Sequence, residues 1–419
     1  MKKIFSVLIV FLVVAVGAPF ALATNGDNLM AIGPIARSMG GVGIAAPQDA
    51  ISAVSANPAA MCFGPFSPNS EFNFAGTLFM PKVDAKINLG GTTYQANSSE
   101  SVYAIPAIGL SVPITEGMSH WRFGLAAYGA TGGGVDYRNT ALDQSHFAGF
   151  GGYPLIAGEY TSLQIMKIAP SIAFEPSPNF SVGLAAHIDY ATLDIRSGSS
   201  TGYGFGVQLG GVYRPIDRLS LGLTYLTPQS VKHSKVLAFD GVGVADDLEL
   251  QAPQQVGFGV AFDVIPNVLM IEANGKWINW SNATGYSDFD WKDQYVFAIG
   301  VQYKPIPKLA LRAGYNYGNN PVSEHNNFNG LALKQVQGIT MPTYYYETFR
   351  TIGFPSVVEH HVAVGIGYEF SNRFSINLGY THAFSNSIKE QGTALNGQPV
   401  SIESNLSEDS IEFGLTWRF

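Results

Sequence analysis

The sequence predicts an all-β protein: a transmembrane antiparallel β-barrel of about 14 strands with a small hatch, or plug, inside its lumen. Three observations carry this expectation. The chain is 46% hydrophobic and only 13% charged, yet after Phe20 no stretch approaches the roughly 18 consecutive apolar residues of a membrane helix. From Glu71 onward, segments of about ten residues alternate between apolar and small or polar side chains, with aromatics near their ends. Before them, Gly33 to Met61 is dominated by glycine and alanine and keeps no period of two.

In chain order, residues 1–23 read as a signal peptide. Lys2 and Lys3 precede an apolar run from Ile4 to Phe20, and Ala21-Leu22-Ala23 is a small-x-small cleavage signal, so the mature chain starts at Thr24. Residues 24–66 form the hatch, in which Asp49 to Ala60 can make a few short helical turns. A compact small-residue segment with no partner domain has one economical burial place, the inside of the barrel formed by 67–419. In the last strand Ile411, Phe413, Leu415, Trp417 and Phe419 face one way and Glu412, Gly414, Thr416 and Arg418 the other. Similar alternation starts near Glu71, Tyr103, Trp121, Leu163, Phe180, Gly202, Leu219, Gln254, Val268, Tyr295, Leu309, His360, Phe374 and Asp409.

Short turns, among them Thr115-Glu116-Gly117, Pro215-Ile216-Asp217 and Pro305-Ile306-Pro307, interleave with longer loops. The long connections are expected at Thr131 to Thr161, Thr227 to Gln251, Ser281 to Asp293, Gly318 to Val357 and Ser385 to Ser407. The short turns and both termini are assigned to the periplasmic side of a bacterial outer membrane. A terminal Phe419 on an aromatic strand suits recognition by barrel-assembly machinery.

Charge and chemistry narrow the function classes. Removing the leader's two lysines leaves 21 basic against 31 acidic residues, which argues against nucleic acid as a partner. The single cysteine, Cys62, has no internal partner. His187 and Asp189 share one strand face without a nucleophilic serine. Glu359-His360-His361 places neighbouring side chains on opposite faces and cannot share an ion without help. Gly129 to Gly134 lacks the Gly-Lys-Ser/Thr ending of a phosphate loop. No catalytic residue, cofactor or metal is expected.

Three local patterns resemble the FadL family of outer-membrane transporters for long-chain fatty acids and aromatic hydrocarbons. They are Ala36-Arg37 with Gly40-Gly41-x-Gly43, Ala45, Asp49-Ala50 and Asn57-Pro58-Ala59; then Leu248-x-Leu250-x-x-Pro253 followed by Trp277-x-x-Trp280-Ser281; and Trp291-Lys292-Asp293-x-Tyr295. The resemblance spans nearly the whole mature chain. It implies a hatch ending at Asn57, Pro58 and Ala59 that gates the channel, and a third strand kinked at Gly129, Gly132, Gly133 and Gly134 to open the wall. It further implies a role for Lys292 against a carboxylate headgroup. The implied activity is passive uptake of a hydrophobic small molecule, captured by extracellular loops and released sideways, by a monomer among outer-membrane lipids and lipopolysaccharide. A general porin and a structural surface barrel without hydrophobic cargo are the alternatives.

Overall fold

The computed structural model describes residues 24–114, 120–196, 198–237 and 246–419. The expected leader at 1–23 and the turn at Thr115-Glu116-Gly117 lie outside the described residues, as do Ser197 and part of the loop from Thr227 to Gln251.

Alternation produces 14 antiparallel strands closed into one ring. They are β1 Glu71–Leu89, β2 Tyr103–Pro113, β3 Trp121–Asp136, β4 Tyr160–Ser177, β5 Phe180–Asp194, β6 Ser199–Ile216, β7 Leu219–Leu226, β8 Gln255–Ile265, β9 Leu269–Ile278, β10 Gln294–Ile306, β11 Leu309–Gly318, β12 His360–Ser371, β13 Phe374–Thr393 and β14 Pro399–Arg418. Each pairs with the next, and β14 returns to β1 with Arg418 opposite Glu71 and Val400 opposite Leu89. Closing the ring gives every strand a neighbour on both sides over most of its length, which is what lets strands cross hydrocarbon. The outward side chains are the greasy ones: Tyr203, Phe205, Phe297 and Trp417 are 64, 69, 61 and 56% exposed. Their strand neighbours Gly204, Ala298 and Thr416 turn into the lumen, Ala298 and Thr416 being buried there. Among the described residues no helix is long and apolar enough to cross a membrane.

Two expected loops are built differently. Ser385 to Ser407 is not an open loop, because β13 and β14 stay paired from Asn386 opposite Leu406 to Thr393 opposite Pro399. Beyond Phe384 the outward residues become Ser385, Ser387 and Lys389, so the hydrophobic signal ends where the membrane ends while the ladder continues. The connection from β11 to β12 folds over the barrel mouth rather than outward. Its short helix Thr343–Thr348 runs into a π-helical turn at Phe349–Gly353, and every residue of both is buried.

The hatch fills the lumen. It contains α1 Pro34–Ser38, α2 Ala50–Ala56 and a 3-10 turn at Pro58–Cys62. Asp49 caps α2 by accepting the Ser52 N–H at 2.9 Å. Ile51, Val54, Met61 and Phe66 pack on Ala75, Ala107, Ala126, Ala169 and Ala173 of the wall, small residues that leave room for them. At Gly40, with φ +73°, a Cβ would stand 2.7 Å from the Tyr315 backbone, so hatch and wall backbones meet there without side chains between them.

Candidate functional site

The lumen side of the wall holds the hatch by polar side chains aimed mostly at the hatch's backbone. Glu272 on β9 accepts the N–H groups of Gly43 and Ala45 at 3.0 and 2.9 Å. Asn316 on β11 donates to the Gly40 carbonyl at 3.0 Å, and Ser181 on β5 donates to the Ala59 carbonyl at 2.9 Å. Glu71 and Asn73 on β1 accept the first N–H groups of α2. One strong side-chain pair joins them: Arg37 Nε donates to Glu412 on β14 at 2.8 Å, with both side chains fully buried.

Asn57 is the hatch's own contribution to this fastening. Its backbone is extended, as the following proline requires, and its amide donates to the Ile44 carbonyl at 2.8 Å and the Gly211 carbonyl of β6 at 3.2 Å. Its side-chain oxygen accepts the Ala59 N–H at 3.1 Å, closing the turn that Pro58 begins. Asn57, Pro58 and Ala59 therefore sit together against β5 and β6 and are buried.

The wall is interrupted between β2 and β3. Their pairing runs from Pro113 opposite Arg122 to Ala107 opposite Tyr128 and stops. Pro106, the next residue of β2, has no N–H to donate. On β3 a bulge lies between Gly129 and Thr131, after which the strand follows β4 alone to Asp136 opposite Tyr160. At Gly134 any Cβ would collide with the Thr161 carbonyl, 1.9 Å away. The gap is closed above by Ser99 N–H donating to the Asp136 carbonyl at 2.8 Å and by Asp136 N–H donating to Ser98 Oγ at 2.9 Å. Gly129, Gly132, Gly133 and Gly134 thus lie on the stretch of β3 that has parted from β2, with Ile105 of β2 against Gly129 and Gly132.

Behind this parting of the strands lies a cavity of about 50 Å³ bordered by Thr24, Asp27, Phe79, Gly132, Leu163 and Phe354. It shares Asp27, Leu163 and Phe354 with an apolar cavity of about 30 Å³ among Leu193, Leu248, Leu250, Phe289, Trp291 and Phe349. For scale, a cavity of about 150 Å³ holds benzene, so neither accommodates even a small aromatic without movement. Above the inserted turn, a vestibule of about 980 Å³ opens among Phe150, Tyr153, Ile156, Leu331, Leu333 and Tyr345. Tyrosine hydroxyls pull its loops together: Tyr344 donates to the Leu155 carbonyl at 2.8 Å, Tyr345 to Pro154 at 2.7 Å and Tyr346 to Asp290 at 2.7 Å.

Arg350 lines the apolar cavity but is fully committed. It donates to Glu347 at 2.9 and 3.1 Å, to Glu390 and to the Ser323 carbonyl. Burial acts against the charge on Glu347, but the His325 hydrogen bond and the Arg350 guanidinium outweigh it and hold the carboxyl below its ordinary range. Glu390, on the part of β13 beyond the aromatic band, is pushed up to about 7 by burial. The ligand atoms of His325, Glu347 and Glu390 lie within 4.8 Å of one another, a spacing that suits a metal ion. Arg350 already supplies the cation between the two carboxylates.

The remaining candidates are dispersed. Lys292 is solvent-exposed just before β10, its backbone N–H on the Pro321 carbonyl at 2.7 Å, and it borders neither of these two cavities nor the vestibule. Asp293 beside it accepts from Trp277, Asn279 and Ser281 at 2.7 to 3.1 Å and fastens the rim. His187 bonds Gln208 at 3.1 Å while Asp189 pairs with Lys167 at 2.7 Å, so the two do not act together. His361 is buried and His360 exposed, on opposite faces of β12. Burial pushes the Cys62 thiol up to about 12. Sequence reasoning missed Arg350 and Glu272; the partners of Glu272 are distant along the chain, whereas Glu347, three residues before Arg350, and the aromatic run Tyr344-Tyr345-Tyr346 were the available signals for the former.

No curated protein matches this sequence. Solved structures do share the fold. The Pseudomonas putida toluene transporter TodX is 16% identical, covering 93% of this chain and 99% of its own, with a TM-score of 0.65. A Pseudomonas aeruginosa FadL homologue is 16% identical over 96% of this chain and 99% of its own, with a TM-score of 0.66. The Ralstonia pickettii toluene transporter TbuX is 15% identical over 93% and 99%, with a TM-score of 0.59. A family model described as outer membrane protein transport protein (OMPP1/FadL/TodX) matches residues 12–198 and 186–329. With its closed barrel, internal hatch and match over most of its length, the chain belongs to that family of outer-membrane transport proteins.

Proposed function

We propose that this protein admits hydrophobic small molecules passively, taking them from the vestibule through the apolar cavity and out sideways into the bilayer through a window where β2 and β3 part. The observation that carries this reading is continuity: the cavity behind the window and the apolar cavity share Asp27, Leu163 and Phe354. The way straight through is blocked by a hatch with a buried ion pair and buried hydrogen bonds. Both cavities are too small for cargo, so transport requires the residues around the window to shift, with Asn57, Pro58 and Ala59 as the pinned end of the hatch. In this reading the long loops are extracellular, the short turns and both termini periplasmic, and the barrel is a monomer surrounded by outer-membrane lipid and lipopolysaccharide. It is assembled by barrel-assembly machinery and does no chemistry on its cargo.

The state of Arg350 favours neutral cargo such as aromatic or aliphatic hydrocarbons over fatty acids. A carboxylate entering the apolar cavity would meet a guanidinium already held by Glu347 and Glu390. Lys292 remains as the proposed contact for an acidic headgroup, at the rim.

Gly133→Trp tests the path. A Cβ at Gly133 meets nothing within 4 Å, so the substitution is tolerated sterically at its root while its ring fills the window. Uptake of a radiolabelled monoaromatic hydrocarbon by cells carrying the variant should fall about tenfold, a barrier change of about 1.4 kcal/mol, with heat-modifiable gel mobility retained. Unchanged uptake by the folded variant would exclude the window as the exit.

A further inference from the structure

The first residues after the expected cleavage site are held, where chain termini ordinarily fray. Thr24 and Asn25 are 5 and 2% exposed and pair with Asn28 and Leu29 in a tight hairpin. The hairpin turns at Gly26, where φ is +59° and a Cβ would stand 2.8 Å from the Trp280 ring. Thr24 Oγ1 lies 2.9 Å from both carboxylate oxygens of Glu408 on β14, and the Thr24 backbone nitrogen is directed at the same carboxylate.

Glu408 is itself only 4% exposed. Four other inward carboxylates of the wall have cations: Glu412 has Arg37, Glu71 has Arg418, Glu390 has Arg350 and Asp189 has Lys167. Glu272 instead takes backbone N–H groups of the hatch. Among the described residues, no lysine, arginine or histidine forms an ion pair with Glu408; Arg37, whose field reaches it, bonds Glu412 and Ser410. A buried carboxylate facing only a hydroxyl and an amide is costly. The group that faces Glu408 beside the Thr24 hydroxyl is the backbone nitrogen of the same residue.

We propose that removal of the leader after Ala23 supplies a positive charge there: the new α-ammonium of Thr24 pairs with Glu408 and latches the start of the hatch behind the wall window. A free α-amine titrates near 7.7–8.0, so it is cationic at neutral pH, whereas the same nitrogen within an uncleaved chain is an uncharged amide. Processing therefore completes the seating of the hatch. Thr24 and Asp27 border the same cavity as Gly132 to Gly134, and Ser356 Oγ of the inserted loop donates to Asp27. The latch thus joins β14, the hatch and the mouth loop at one place, and its release frees Thr24 to Asp27 to move off the window.

The proposal rests on cleavage after Ala23 and on the window as the path, and its test separates the three. The full chain is expressed with its leader as wild type, as Glu408→Gln, and with one glycine inserted between Ala23 and Thr24. Intact mass identifies each mature N-terminus. A neutral-pH amine-reactive reagent then reads exposure of the α-amine in folded and heat-denatured protein, and bilayer recordings read conductance to small ions. The wild-type α-amine should react about tenfold more slowly when folded. That protection should be lost in both variants and their conductance should rise, with heat-modifiable mobility intact. Equal reactivity in folded and denatured wild type, undiminished protection in Glu408→Gln, or a mature chain starting elsewhere than Thr24 overturns the latch. Protection that depends on Glu408, alongside normal uptake by Gly133→Trp, upholds the latch and discards the window path.

Discussion

Two seams of the barrel differ in a way their positions in the chain would not suggest. Where β14 meets β1 the pairing partners lie at opposite ends of the sequence, yet the ladder is unbroken from Glu71–Arg418 to Leu89–Val400. Where β2 meets β3 the strands are neighbours in sequence, yet the ladder stops at Ala107–Tyr128. Loop closure favours the second pair by far. The interruption is therefore a local device, made by Pro106, the Gly129–Thr131 bulge and glycines that bring no side chain to a pairing. The closing seam carries the opposite function: its inward residues Glu408, Ser410 and Glu412 hold the hatch.

Placing the same bulk at each seam gives the largest contrast. Gly76 lies on the lipid side of β1 opposite Phe413. Gly76→Trp should leave hydrocarbon uptake unchanged, whereas Gly133→Trp should reduce it about tenfold; similar losses in both would mean the window has no special standing. Breaking the anchor at the continuous seam comes next. Arg37→Met strands the Glu412 carboxylate in a buried site and should lower stability by roughly 3–5 kcal/mol, read from the urea midpoint of the refolded barrel. A barrel of unchanged midpoint would show that the hatch does not depend on this pair.

Asn57→Ala removes a buried amide's bonds from the far side of the hatch and should cost about 1–3 kcal/mol, with ion conductance rising because the pinned end loosens. Lys292→Met is expected to change hydrocarbon binding less than twofold; a charge-assisted contact contributes roughly 1.5–3 kcal/mol, so a selective loss of fatty-acid displacement would establish acidic cargo at the rim. The smallest effect concerns the rim near Asp293. Burial alone would raise this carboxyl, but hydrogen bonds from Ser281, Trp277 and Asn279 hold it below the ordinary range. Its contribution is therefore present above the unfolded value of about 3.9 and lost as pH falls further. Amide exchange in the Ser281 to Asp293 loop should rise only below about pH 4.

The ring was legible because lipid on one side and a filled lumen on the other impose a period of two on every crossing strand. That signal weakens where the outward face turns polar at Ser385, Ser387 and Lys389 while Ile388, Ile402 and Leu406 still face a buried core, so the paired stretch Asn386 to Thr393 read as loop and β14 was expected to begin at Asp409 rather than Pro399. The glycine run at Gly129 to Gly134 marked a weak place in β3, but where its pairing to β2 ends depends on register, which a single strand's sequence does not state. Arg350 escaped because, although Glu347 lies one turn before it, Ser323 and Glu390 reach it only when the connection from β11 to β12 folds back on itself and against β13.

The wall's grip on the hatch is directed largely at peptide groups: Glu272 on Gly43 and Ala45, Asn316 on Gly40, Ser181 on Ala59, Glu71 and Asn73 on the start of α2. Peptide groups are the same whatever residue carries them. Outside Thr24, Arg37, Gly40 and Asn57, hatch residues can therefore be exchanged for others of similar size with little effect on these bonds, whereas loss of a wall residue in the set strands a buried peptide group. Under the proposed gating by the hatch, heritable changes in how readily the channel opens should consequently arise in the strands, many residues away from the hatch itself.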